Sequence, residues 1–91
     1  MSTTAEKAAV LRRRQSLLAV LFFADGQTLR ARQLREEIEE VHGLIATVDR
    51  IRADLLWLAE VGMISLRDDT AQLTERGREV VAGRAVLPGA A

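Results

Sequence analysis

The sequence predicts a single, mainly α-helical domain carrying one small β-hairpin, and three observations lead to it. Apolar residues recur at three- and four-residue steps in three separate segments, the period that gathers side chains onto one stripe of an α-helix. A later segment instead alternates Ile64 and Leu66 with Ser65 and Arg67, the period of a half-buried strand. Finally, 91 residues, 48% apolar and 29% charged, have the composition of a globular chain and enough apolar material for one core only. The domain is expected over residues 1–87, with Pro88-Gly89 opening a loose tail over 88–91.

Each element follows from local chemistry. Thr3 with Glu6 three positions later makes a capping box, so a first helix begins near Thr4. Val10, Leu11, Leu17, Leu18, Leu21 and Phe22 form its stripe, and it stops at Asp25-Gly26. A brief extended stretch over Gln27 to Leu29 leads into a second helix from Ala31 to His42, with Leu34, Ile38 and Val41 on one face and Gly43 as the left-handed closing residue. Thr47 caps a third helix whose stripe is Val48, Ile51, Leu55 and Leu58, and Gly62 ends it, with Met63 packing back onto Leu58. The strand at Ile64 turns at Asp68-Asp69-Thr70 and returns through Ala71 to Leu73, and Thr74 caps a last helix bearing Val80 and Val81. Two helices joined by a short glycine-containing turn, the second running into a hairpin, make a winged helix-turn-helix: helix, short strand, helix, helix, two-stranded wing, helix.

The stretch from Thr47 to Pro88, reading TVDRIRADLLWLAEVGMI, then LTERG, then VAGRAVLPG, resembles a family of small proteins encoded by Mu-like transposable phages and prophages. The resemblance is specific over nearly half the chain and extends to the rest by pattern. LTERG after a hairpin is also similar to the wing-to-helix junction of many bacterial winged-helix regulators. What the resemblance implies is a winged helix that binds DNA inside a bacterial host cell, with no established residue roles to carry over.

Composition narrows the function classes. With no cysteine, no tyrosine, one histidine and no glycine-rich phosphate loop, an enzyme is not expected, and neither is a metal or other cofactor. The longest apolar run, Leu17 to Ala24, is eight residues, well short of the ~18 that cross a bilayer, and no export segment is read near Met1. A cytoplasmic home and no membrane partner are expected. Thirteen basic residues balance thirteen acidic ones, but unevenly: 1–35 carries +5, 36–40 carries −4, 41–74 carries −2 and 75–91 carries +1. An acidic patch at Glu36 to Glu40 is therefore expected apart from a basic one around Arg12, Arg30 and Arg32.

The face of the third helix opposite its stripe holds Asp49, Arg50, Ala53, Trp57 and Glu60, flanked by Thr47 and Asp54. Arg50 suits two-pronged contact with guanine in a major groove, and Asp49 or Asp54 suits cytosine or the holding of that arginine. The same side chains also suit ordinary solvated charges. Arg30 and Arg32 at the start of the second helix, and Arg67 on the wing, stand where winged helices contact phosphate, whereas the Asp68-Asp69 tip is expected to keep the wing clear of DNA. Arg12-Arg13-Arg14 reads as a solvated helix face. Glu36, Glu37, Glu39 and Glu40 read as a candidate docking site for a protein, or, more plainly, as partners of arginines four residues earlier, Arg32 with Glu36 and Arg35 with Glu39. Trp57 is either an interface residue or tucked between the third helix and a neighbour. His42 reads as structural, meeting free carbonyls at a helix end.

The leading reading is a sequence-specific double-stranded-DNA binder, a phage regulator or an accessory factor in phage DNA handling. The alternative is a winged-helix module that binds a phage or host protein and no DNA. A homodimer is expected through the first and last helices, the rival being that these helices pack on each other within one chain through the same residues. Val10, Leu11, Leu17, Leu18, Val20, Leu21, Phe22 and Phe23 give the first helix a wide apolar surface, which Val80, Val81 and Val86 would cover, with Gly77 and Gly83 as close-approach points.

Overall fold

A computed structural model describes residues 3–90. Helix α1 spans Thr4–Phe23, strand β1 Thr28–Arg30, α2 Ala31–His42, α3 Val48–Glu60, β2 Ile64–Arg67, β3 Thr70–Leu73 and α4 Glu75–Val81. A short 3-10 turn, Asp25–Gln27, joins α1 to β1. This is the winged-helix order, mainly α with a hairpin following α3. The strands form one antiparallel sheet in the order β1-β3-β2, with Leu29 opposite Ala71 and Ala71 opposite Leu66. Among the described residues no helix is long and apolar enough to cross a membrane.

Local chemistry sets nearly every boundary. At the start of α1 the Glu6 amide donates to Thr3 Oγ1 at 3.0 Å while the Thr3 amide donates to Glu6 at 3.2 Å, both halves of a capping box. Helices α2 and α3 close alike: Gly43 (φ 67°) and Gly62 (φ 81°) turn left-handed, and the next amides, of Leu44 and Met63, donate back to Ile38 and Leu58. After α3 this is the six-to-one bond of a left-handed helix end and after α2 it reaches one residue further back, and both turn the chain sharply off the helix axis. After α1, Gln27 ties the end of one terminal helix to the other, because its side-chain amide donates to the Phe22 carbonyl and accepts from Arg78 of α4.

Leu17, Leu18 and Leu21 of α1, Leu34 and Ile38 of α2, Ile51, Leu55 and Leu58 of α3, Met63 after it and Leu87 near the C-terminus are fully buried together. One expected core assignment differs. Val41 is 63% exposed, since the last turn of α2 runs past the core before Gly43 turns the chain. Val86 lies outside any helix and is exposed, because α4 ends at Val81 and a turn follows. Helix α1 packs on α4 within the same chain, and Val80 and Val81 rest against the chain's own core. Of the apolar residues of α1, Phe23 stands out at 82% exposed.

Gly77 makes its close approach inside the chain. A Cβ at this position would sit 2.2 Å from the Met63 carbonyl oxygen and 2.6 Å from Leu73 Cδ1, so α4 lies on the exit of α3 at a spacing that only glycine permits. Thr74 completes the joint: its hydroxyl lies 2.7 Å from the Gly62 carbonyl and 2.9 Å from that of Met63, and it accepts from the Gly77 amide. Gly83 meets nothing within 4 Å of such a Cβ and serves as a left-handed turn residue instead. Gly77→Ala is expected to lower stability by about 1–3 kcal/mol or more through overpacking against backbone. Urea denaturation of the variant beside the parent checks this, and an unchanged midpoint would contradict the close approach.

Candidate nucleic-acid interface

The outward side of α3 carries the exposed residues Asp49, Arg50, Ala53, Leu56 and Glu60. Thr47 precedes them as the cap, its Oγ1 accepting from the Arg50 amide at 3.1 Å, which places Arg50 in the first turn with its side chain in solvent. Among the described residues Arg50 forms no ion pair. Leu56, 64% exposed, belongs to this face although the apolar pattern of the helix did not single it out. An apolar side chain here suits contact with a thymine methyl.

Asp54, expected beside these residues, is instead 2% exposed. It shares the core-facing arc of α3 with Ile51, Leu55 and Leu58, and an unpaired carboxylate there would be strongly disfavoured. Two arginines of α1 pair with it. Arg13 donates through Nε to Oδ2 and through Nη2 to Oδ1, and Arg14 Nε donates to Oδ1 at 3.2 Å. Their side chains are only 15% and 24% exposed, so the expectation of a solvated Arg12-Arg13-Arg14 face holds for Arg12 alone. The Arg14 guanidinium also lies over the Trp57 ring, 4.0 Å from its centroid, a cation–π contact. Trp57 is therefore half-buried between α3 and α1, the tucked alternative of the two.

The signal for this network was present in the period. Arg14 falls three after Leu11 and four before Leu18, on the stripe of α1, and Asp54 falls three after Ile51 and four before Leu58. Opposite charges set into two core stripes are each other's natural partners.

Arg52 is the second residue that the sequence reading missed. It reaches from the side of α3 to the wing tip, where its Nε donates to Asp69 at 2.9 Å and its Nη2 at 2.8 Å, a two-pronged pairing, while Nη1 meets Asp49 at 3.4 Å. The hydrogen bonds from Arg52 hold the Asp69 carboxyl below the usual carboxylate range, with the charges of Arg52 and Arg32 acting in the same direction. Arg52 is raised in turn, chiefly by its hydrogen bond to Asp69. Asp68 takes the left-handed conformation (φ 55°) that makes the tight turn, one that aspartate tolerates. The Ala31 amide donates to the Asp69 carbonyl at 2.9 Å, fixing the tip against the start of α2. Arg67, at the end of β2, is exposed.

Arg30 and Arg32 are exposed at the beginning of α2 and line one notch together with Gln33, Glu36 and Asp69. Glu36 thus sits among the arginines, so the acidic and basic patches are interleaved at this end. The intrahelical pairing expected of the glutamates is not formed: among the described residues neither Arg32–Glu36 nor Arg35–Glu39 makes an ion pair. Glu37, Glu39 and Glu40 are exposed. His42 is half-buried beside a cleft with Val20, Phe23, Leu29, Glu37 and Val41. A separate groove runs between the first half of α1 and the α2–α3 turn, with Lys7, Arg13, Arg14 and Arg50 on its walls and Val10 and Ile45 among them.

No family model, curated protein or solved structure matches this chain.

Asp54→Ala strands two poorly exposed guanidinium groups. It is expected to cost about 1–3 kcal/mol and to shift Trp57 emission to the red as Arg14 loses its anchor, whereas Asp49→Ala, at an exposed site, changes little. Denaturation followed by Trp57 fluorescence checks both. The wing-tip pair carries a pH signature. Because Asp69 is lowered in the folded chain, its contribution is complete above the ordinary carboxylate pKa of about 4 and disappears as pH falls through the lowered value. The stability gap between parent and Asp69→Asn should be flat at neutral pH and close in acid. A gap that widens in acid would contradict the pairing.

Proposed function

We propose that the protein is a DNA-binding winged helix that presents α3 to a major groove. The observation that carries the reading is that exposed cations stand on three elements of the fold: Arg50 in the first turn of α3, Arg30 and Arg32 at the start of α2, and Arg67 on the hairpin. A helix bearing a free guanidinium in its first turn, flanked by cations on the neighbouring elements, matches the division of labour between base and phosphate contacts. In this reading Arg50 specifies and Arg30 and Arg32 position. Thr47, Asp49 and Ala53 complete the surface against the bases, while Asp54 acts only through the placement of α3. The protein is a binding module, not an enzyme. The phage resemblance suggests a phage-encoded regulator or accessory factor as its setting. The α1 and α4 surfaces expected to pair two copies pack on each other within one chain, so a homodimer, giving two copies of α3 for two half-sites, belongs to the same reading only through residues of α1 left exposed, Phe23 foremost. Sedimentation at micromolar concentration tests it, a 10.0 kDa species with no concentration dependence removing the dimer.

A second reading, as a protein-binding module, is favoured by the exposed apolar pair Phe23 and Val41 on one cleft and by the zero net charge. The exposed glutamates of α2 are its candidate contacts, Glu37 on the same cleft. Selection of duplexes from a random library, followed by titration at two salt concentrations, separates the readings. On the selected site Arg50→Ala is expected to cost about 1–3 kcal/mol and to relax discrimination at one base pair. Arg32→Ala should weaken all sequences alike and reduce the salt slope by about one. Equal losses on selected and random DNA for Arg50→Ala would remove its readout role, and no binding to any duplex by the parent or by charge-relieved variants leaves the protein-binding reading.

A further inference from the structure

We infer that Asp69 is an internal stand-in for a DNA phosphate, holding the fork of Arg52 and thereby setting how weakly the protein binds DNA without regard to sequence. The inference rests on the DNA-binding reading and deepens it. Arg52 Nε and Nη2 each meet a different oxygen of Asp69, at 2.9 and 2.8 Å. This parallel, two-pronged geometry is the one that arginine adopts with phosphate oxygens as well as with carboxylates. The site lies at the junction of the three elements that flank a groove in this fold. Arg52 comes from α3, Asp69 from the wing tip, and Arg32 lines the adjoining notch from α2. Arg52 thus pairs directly with an intramolecular anion, and Arg30 and Arg32, together with Glu36, line the notch beside it. Both partners of the pair are part-exposed, at 40% and 42% of their side-chain surface, so an incoming phosphate can reach Arg52, but only by displacing the carboxylate.

The consequence is selective. Displacement opposes every duplex equally because phosphates carry no sequence information, so the carboxylate lowers background binding while base contacts from Arg50 are untouched. The acidic wing tip then acts by occupying a cation, and not by keeping the hairpin away from DNA. The backbone of the tip does not depend on the carboxylate, since the Ala31 amide holds the Asp69 carbonyl and the left-handed residue is Asp68. Asp69→Asn therefore removes the charge and keeps the turn.

The test is a double-substitution cycle on random-sequence duplex DNA over a salt series. Asp69→Asn is expected to tighten non-specific binding about three- to tenfold at low salt and to steepen the logarithmic salt slope by about one, the signature of one more phosphate contact. Arg52→Ala alone should change non-specific binding little, and Arg52→Ala with Asp69→Asn should lose the gain. Asp69→Ser serves as a second variant, with circular dichroism establishing that each is folded. If the parent binds DNA and Asp69→Asn binds no more tightly, or if the gain survives in the double variant, the stand-in is overturned while the DNA-binding reading remains. If neither the parent nor the charge-relieved variants bind any duplex, both are overturned. Binding by Asp69→Asn where the parent shows none supports both.

Discussion

The position of α3 depends on one buried carboxylate. Asp54 sits on the inner side of the helix at 2% exposure, and its ionised form is tolerable there only because Arg13 and Arg14 reach across from α1 to hydrogen-bond it. Apolar contacts among Ile51, Leu55, Leu58 and the leucines of α1 give cohesion without direction. The arginine–aspartate pairing adds direction, since a helix rotated or slid by one residue would part the forks from their acceptor. Trp57 is placed by the same group, because Arg14 uses one edge for Asp54 and its face for the indole ring. Two guanidinium groups on a single carboxylate leave one positive charge over, beside a groove that already holds Lys7 and Arg50. The interior pairing thus contributes to the field on the surface.

Element boundaries were legible because each is decided within a few residues. Thr3 with Glu6, Thr47 and Thr74 supply caps, Gly43 and Gly62 supply left-handed exits, and alternation at Ile64 to Arg67 marks a strand. What the pattern missed is tertiary. Periodicity counts apolar residues, so it assigned Val41 to a core that α2 overruns, and it sent Asp54 and Arg14 to solvent although both lie on stripe positions. The glutamates of α2 illustrate the same limit: spacing allows pairs with Arg32 and Arg35, yet long side chains in water gain little from holding one geometry. Of the candidate interface, Arg30, Arg32, Arg50 and Arg67 were found by position, whereas Arg52 was not. Its role is created by the hairpin folding back beside α3, 17 residues later in the chain.

Three residues of the LTERG stretch have a structural account. Leu73 is buried, Thr74 caps α4 while bonding the exit of α3, and Gly77 admits the Met63 carbonyl. All three are used in joining a hairpin to a following helix. The stretch speaks to fold, and functional distinctions must be sought on α3, at the wing tip and at the start of α2.

The sheet order ties the hairpin to the rest of the fold. Because β3 lies between β1 and β2, its return strand is bonded on both sides, and the tip is held by Ala31 and Arg52 as well. The wing is consequently part of the folded body. Proteins that read a surface with loose arms must give up the conformational freedom of those arms at the moment of contact, an entropy loss that weakens the complex. Here that freedom is already lost when the chain folds, so whatever docks across α3 and the hairpin meets a surface preorganised for it.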